Sequence, residues 1–435
     1  MKANLLVPDT CSPAAYSTIL CLKDFFNRVI IGIPRSGYLS RFITPSANSR
    51  FIHRSYYVTN VLSDWFRSFY SQENTDNEEK FLDEIVYICK RENINVIFPT
   101  TDPLIFLFSK NERRFSSLNI EVPVPDIQKL SQITDKYSLA VFAKAQNVPC
   151  PRTGLVDSAS LKNTASTFNF PVILKPRLGL ASCGVNKFTE KEELFSKFNY
   201  LESQFGRQML QEFIPGNEIN FINVYMNHDC KALACFFYRV QRPEMRVFDG
   251  RSGQELAAPN ESCKGIVSIL ERLQFKGYAN AQLKVDSRDK IPKLLEINVK
   301  MTTNVWMARG LGKNRPLFNY YIYTNKKVDE FKYAYPIGLI ILSPVEDVLI
   351  LLVYLFCILN KYLNKYNPFL KKNTFESLPL LKEIIGHYKI KYSKKSKICN
   401  PSLKDFLADP LVFISAWAFY GWKLIKELYP RSFLQ

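Results

Sequence analysis

Histidine is scarce in this sequence: the 435 residues hold three, His53, His228 and His387, and none sits near a cysteine cluster. The ten cysteines run from Cys11 to Cys399 at irregular intervals, with no C-x-x-C pair. That argues against a zinc site of the usual spacing and against a disulfide framework in a chain this long. Acidic residues are also few, 40 against 58 Lys and Arg, for a formal net charge of +18. Such an excess suits polyanions (nucleotide phosphates, nucleic acid, an anionic membrane surface), although it also serves solubility alone. No uninterrupted apolar run exceeds about a dozen residues, short of the ~20 that a spanning helix needs. The opening stretch, Met1 to Asp9, is too short an apolar run for a signal peptide, and neither an internal repeat nor a low-complexity tract is present. A reducing cytosol is therefore the expected compartment. What the chain does have is core material: 47% hydrophobic and 14% aromatic residues exclude wholesale disorder.

Residues 1–125 alternate short apolar runs with helical patterns. Asn4–Pro8, Val29–Ile33 and Asn95–Pro99 read as buried parallel strands, and Ala14–Phe26, Glu78–Arg91 and Leu104–Phe115 as helices. The alternation predicts an open α/β sheet, with Asp9 and Thr100-Thr101-Asp102 beyond the strand ends where ligands bind, unless they cap helices. After a break at Pro149-Cys150-Pro151 the pattern turns α+β, with strands at Pro171–Lys175, Gln208–Phe213, Ile219–Tyr225, Ala232–Tyr238, Tyr278–Asp286 and Ile291–Val299. The last hundred residues change again. Gly338–Leu342, Val348–Leu359 and Leu411–Trp422 are apolar, and lysines crowd between the last two. An interfacial membrane anchor and a buried helical cap both fit that pattern.

Three stretches carry chemistry. In the first, Tyr278–Asp286 and Ile291–Lys300 form a predicted hairpin closing around residue 289, which sets Gln282 opposite Glu296. Glu296, Asn298 and Lys300 share a face, so a carboxylate and two amides converge as oxygen ligands for a hard cation such as Mg²⁺; a solvated hairpin gives the same alternation. In the second, the strand Pro171–Lys175 ends in a lysine and runs into a loop with Gly179 and Gly184, whose amides can bend around phosphate, or which is a plain turn. Val185-Asn186 stand where a P-loop needs Lys-Ser/Thr, which rejects that motif. The third, Gln211-Glu212-Phe213-Ile214-Pro215-Gly216-Asn217-Glu218, joins a strand, a turn and a carboxylate. Backbone at 212–214 can pair with an adenine edge, and Glu218 can accept from ribose hydroxyls.

In this order the three stretches, with Asp135-Lys136 before them, resemble the ATP-grasp superfamily over about residues 1–320. The likeness is greatest to the branch with carbamoyl-phosphate synthetases and carboxylate–amine ligases, whose fourteen-residue step from the metal Gln to the metal Glu is matched by Gln282 and Glu296. The resemblance implies a fold of mixed α/β and α+β class: an N-terminal open parallel-sheet domain (1–125), a two-lobed ATP-grasp domain (126–330, small lobe about 150–210), and a hydrophobic, basic C-terminal helical region (331–435). It implies that Lys136 and Lys175 hold ATP phosphates beneath the 178–185 loop with Gly179 and Gly184. Gln211, Glu212, Phe213 and Ile214 would form the adenine hinge and Glu218 the ribose acceptor. Gln282, Glu296 and Asn298 would ligate Mg²⁺ or Mn²⁺. The branch places arginine two residues after the metal asparagine; here Lys300 keeps the charge without the bidentate fork. Lys175, Lys300 and Arg251 are the expected catalytic residues, the last from a segment that also holds Arg239, Arg242 and Arg246.

The implied activity is an ATP-dependent carboxylate–amine ligase working through an acylphosphate on small-molecule substrates, with a membrane-linked substrate as a variant. A non-catalytic ATP-binding scaffold at the membrane is the alternative. Residues 338–435 are the stretch expected to meet an anionic surface, which places the protein in the cytoplasm or on the inner face of the membrane. Nucleic-acid binding is not expected, because the lysines border apolar segments without a stacking platform or helix-turn-helix pattern. A homodimer is left open.

Overall fold

A computed structural model describes residues 3–10, 13–35, 44–62, 64–71, 73–179, 183–240, 254–302, 305, 314–324, 326, 337–341 and 409–410. The first sheet is parallel, in the order β3-β2-β1-β4, from β1 (Asn4–Val7), β2 (Arg28–Pro34), β3 (Arg54–Val58) and β4 (Val96–Ile97). Helices Pro13–Leu22 and Asp76–Glu92 supply crossovers, as parallel pairing requires. The Asp76–Glu92 helix starts in a full capping box, with Thr75 and Glu78 each bonding the other's backbone N–H. The expected helix over Leu104–Phe115 is instead two, Asp102–Lys110 and Glu112–Ser116, divided where Asn111 leaves helical geometry.

The second sheet, β5-β8-β6-β7, is antiparallel: β5 (Thr153–Val156), β6 (Val172–Pro176), β7 (Asn186–Phe188) and β8 (Gln208–Glu212). Helices Leu161–Ser166 and Lys191–Phe205 cover one face and bury Val172, Leu174 and Leu210 with Leu194 and Phe198. Strand alternation therefore turns Lys175 to the opposite face.

The third sheet runs β13-β12-β9-β10-β11-β14, from β9 (Ile219–Met226), β10 (Ala232–Val240), β11 (Gln254–Ala257), β12 (Gly277–Val285), β13 (Pro292–Asn298) and β14 (Ile340–Ile341). Ile340 and Ile341 belong to the stretch read from sequence as the first apolar segment of the C-terminal region. They close the sheet edge instead, after Gly338 (φ 79°) turns the chain and donates its N–H to the Leu256 carbonyl. The segments Val348–Leu359 and Leu411–Trp422 and the lysines between them lie outside the described residues. No helix among the described residues is long and apolar enough to cross a membrane.

Two cores join the first and third sheets. One gathers Leu6, Ile30, Leu104 and Leu130 with Ile222, Ala279, Leu294 and Ile297. The other gathers Leu5, Val7, Val29 and Ile31 with Tyr225, Phe236, Tyr278 and Leu317. The alternating residues of β1 and β2 are thus shared between both cores, and the ends of these strands are held against the third sheet.

Candidate functional site

The hairpin β12–β13 pairs Gln282 with Glu296 and Asn280 with Asn298. Its register slips by one residue between Gln282 and Leu283, a bulge that the alternation pattern does not reveal. Leu294 and Ile297, three apart, are both buried as a result, and Lys293 and Glu296 come to one face. Asn298 Nδ2 donates to Glu296 Oε1 at 2.9 Å. At the turn, buried Asp286 accepts from Arg288 and, at 2.6 Å, from Lys293 Nζ, and these contacts hold its carboxyl well below the usual range.

Lys136 reaches this hairpin because the helices Ile127–Thr134 and Lys136–Ala145 set Leu130, Ile133, Leu139 and Ala143 into one core with Leu294 and Ile297. Asp135 caps the second helix through the N–H groups of Tyr137 and Ser138, which leaves Lys136 at its first turn. Lys136 Nζ then lies 3.5 Å from Glu296 Oε2. Lys175, 6% exposed at the end of β6, comes from the other lobe. Burial and the neighbouring Lys136 depress its pKa to about 7, against an upward pull from Glu296. For Glu296, burial pushes upward, but Lys136, the Asn298 hydrogen bond, Lys175 and Lys300 outweigh it and bring the carboxyl to about 2. One carboxylate thus stands among several ammonium groups.

Lys300 is ion-paired to Asp102, at the first turn of the helix that follows β4. That tie brings the parallel-sheet domain into the site. Asp102 was read from sequence as a strand-end or capping residue; its partner is 198 positions away, and only the fold shows it. Arg177 is a second residue that sequence reasoning missed. It forks onto Asp135 with Nε at 3.2 Å and Nη2 at 2.6 Å, and its carbonyl accepts from the Lys136 N–H, so the two lobes fix the Lys136 backbone together.

The predicted hinge divides. Gln211 is buried and paired with Thr153 and Ile173 on its two sides, and its Nε2 donates to Thr153 Oγ1. The Glu212 carboxylate accepts from Arg288 and from the Arg152 N–H. The strand ends there, so of the four residues Phe213 and Ile214 are those whose backbone leaves the ladder. The ammonium groups of Lys187 and Lys284 lie 4.1 and 5.2 Å from the Phe213 ring centroid, cations that no sequence motif marked. Glu218 is exposed, and its carbonyl accepts from Val285 N–H. Gly179 borders Lys136: a Cβ there would lie 3.9 Å from Nζ. Gly184 has φ 77°, and a Cβ would meet Phe205 and Pro176 at 2.8 Å, so only glycine fits. Residues 180–182 of the loop lie outside the described residues, as do Arg242, Arg246 and Arg251. Arg239 stands on β10, over the Phe237 ring.

Comparison with known proteins places the geometry in context. Residues 133–304 match the model of an ATP-grasp domain. Over 231 residues the chain is 26% identical to D-aspartate ligase of Enterococcus faecium (strain Aus0004), covering 49% of this chain and 54% of that protein. It is 24% identical over 196 residues to D-alanine–D-alanine ligase of Acidovorax ebreus (strain TPSY), covering 42% and 58%. The chain spans a little over half the length of these curated relatives. In structure it is similar to the biotin carboxylase domain of Hydrogenobacter thermophilus 2-oxoglutarate carboxylase, solved with MgADP, ADP and bicarbonate. The TM-score is 0.58 at 15% identity, over 77% of this chain and 71% of that one. L-amino acid ligase from Bacillus licheniformis gives a TM-score of 0.55 at 12% identity, over 77% and 78%. At these identities the likeness shows the fold.

Proposed function

From the premise that residues 133–304 form an ATP-grasp domain, we propose that the chain is an ATP-dependent ligase joining a carboxylate to an amine. The observation that carries this reading is the meeting of Lys136, Lys175 and Glu296 from separate elements at one point between the lobes. Two ammonium groups beside one carboxylate leave positive charge that a triphosphate balances. Mg²⁺ or Mn²⁺ fits the donor set of Glu296 with the amide oxygens of Gln282 and Asn298, hard ligands that suit such ions. In this proposal the ion's remaining ligands are nucleotide phosphate oxygens, as is usual for such ions. When bound, it supplies charge neutralisation between phosphate oxygens.

In this reading Lys136 and Lys175 hold the phosphates from opposite lobes. Phe213 and Ile214 receive the adenine, Glu218 lies near the ribose, and Lys300, steadied by Asp102, faces the transferred group. A substrate carboxylate oxygen attacks the γ-phosphorus as the bond to the β–γ bridging oxygen breaks, giving an acylphosphate and ADP. An amine then attacks the acyl carbon and phosphate leaves. The protein's part is positioning and charge complementarity. The ligase names of the two curated relatives support this class of reaction. The test is a screen of carboxylate and amine pairs for ADP release with the purified full chain and Mg²⁺. Glu296→Gln should lower the rate at least about a hundredfold while the circular dichroism spectrum is retained. Equal turnover in that variant removes Glu296 from the reaction.

A further inference from the structure

Beside the hairpin, on the same face of the third sheet, lies a buried polar cluster in which Asn223 Oδ1 accepts from the Tyr278 hydroxyl at 2.8 Å and several other polar atoms have no partner. The register places Asn298, Asn280, Asn223 and Phe236 in one row across β13, β12, β9 and β10. Asn280 is fully buried, and neither atom of its amide has a hydrogen-bond partner; Asn223 Nδ2 and the hydroxyl of buried Tyr225 are likewise unpartnered. Over this row stands Arg315, 8% exposed, its guanidinium 5.3 Å from the Phe236 ring and its Nε and Nη1 unpartnered.

The helix Arg315–Tyr323 explains how it gets there. Tyr323 packs on Gly277, whose Cβ would clash with it, and Asn319 Oδ1 accepts from the Tyr278 N–H at 2.9 Å. One helical turn earlier, and one strand step of the same face further along, Arg315 arrives at the level of Asn280. A buried guanidinium with unmade hydrogen bonds is costly unless an anion enters. Asn280, Asn223 and Tyr225 add N–H and O–H donors, and the helix N-terminus adds positive potential. Burial holds the Tyr225 hydroxyl protonated, its pKa well above the ordinary value despite Arg315.

We propose that Arg315, with Asn280, Asn223 and Tyr225, binds the carboxylate of the substrate that is to be activated. This rests on the ligase reading, because the row adjoins Asn298, one strand away at ~5 Å between facing Cβ atoms, and so sets the carboxylate beside the phosphoryl group. Among the described residues the cluster has no acidic member, which selects an anion, and Phe236 forms an apolar wall on one side.

The experiment titrates acetate, succinate and D-aspartate by calorimetry into the full chain loaded with Mg-ADP. The expected result is binding of at least one of them, weakened at least about tenfold in Arg315→Met and less in Arg315→Lys. Asn280→Asp should weaken it similarly, since an internal carboxylate then occupies the guanidinium, and should raise the melting temperature. Mg-ADP affinity should stay within about twofold throughout. Failure of all three acids to bind the unsubstituted chain overturns the proposal, as does undiminished binding in the folded variants; if Arg315→Met does not fold, Asn280→Asp decides. Loss of Mg-ADP binding in the unsubstituted chain counts against the ligase reading instead, and the same titrations without nucleotide then judge the pocket.

Discussion

At Lys175 two requirements conflict. In the proposed role its ammonium is charged to hold phosphate, yet the strand that delivers it buries it, and Lys136 stands nearby. With a pKa near 7, much of Lys175 is neutral at pH 8 before nucleotide arrives, and the incoming polyanion favours the charged form. Binding therefore takes up a proton above neutrality, and affinity declines as pH rises past 7. Calorimetry with Mg-ADP at pH 8, in buffers of different ionisation enthalpy, should show that uptake, and Lys175→Met should abolish it. The lysine itself was legible because a short apolar strand ending in Lys before a glycine loop is a local pattern. Arg177 and Arg315 were not, nor was the pairing of Asp102 with Lys300, since each matters through a residue far away in sequence, and a lone charge next to a turn looks like any solvated one.

The elements around the site are held by hinge contacts. Gly216 has φ 110°, and a Cβ there would sit 2.8 Å from the Val285 carbonyl. Ser287 N–H to the Pro215 carbonyl and Val285 N–H to the Glu218 carbonyl zip this linker onto the end of the hairpin, and Arg288 bridges Asp286 to Glu212. Gly216→Ala should cost about 1–3 kcal/mol in urea unfolding and weaken nucleotide binding, because backbone rather than a flexible side chain must give way. At this scale the long two-sided strands of the β12–β13 hairpin were readable from alternation. β3, with its half-exposed edge, and the four-residue β5 and three-residue β7 were not, since their pairing comes from neighbours rather than from their own pattern. The bulge beside Gln282 was equally hidden: the fourteen-residue step survives it, while the facing of Lys293 changes.

Across the whole molecule, two cores shared by the first and third sheets make the N-terminal sheet part of the site's support, and a single buried carboxylate extends that unity to the far end of the chain. Asp409, 3% exposed, accepts from the Ser49 hydroxyl, the Tyr16 hydroxyl at 3.2 Å and the Arg50 N–H at 3.2 Å. Asp409→Ala should lower stability by about 1–3 kcal/mol, measured by urea unfolding of the full chain. Whether the residues after Ile341 meet an anionic surface is decided by sedimentation with anionic vesicles: pelleting of the full chain but not of a chain ending at Ile341 supports that reading, and a full chain that stays in the supernatant ends it. The tie at Asp409 also imposes an order in time. Ser49 precedes it by 360 residues, so at a synthesis rate of about 5–20 residues per second the ribosome needs roughly 20 to 70 s between them. Throughout that interval the hydroxyls of Tyr16 and Ser49 are without this acceptor, and the seam closes only after Asp409 has been made.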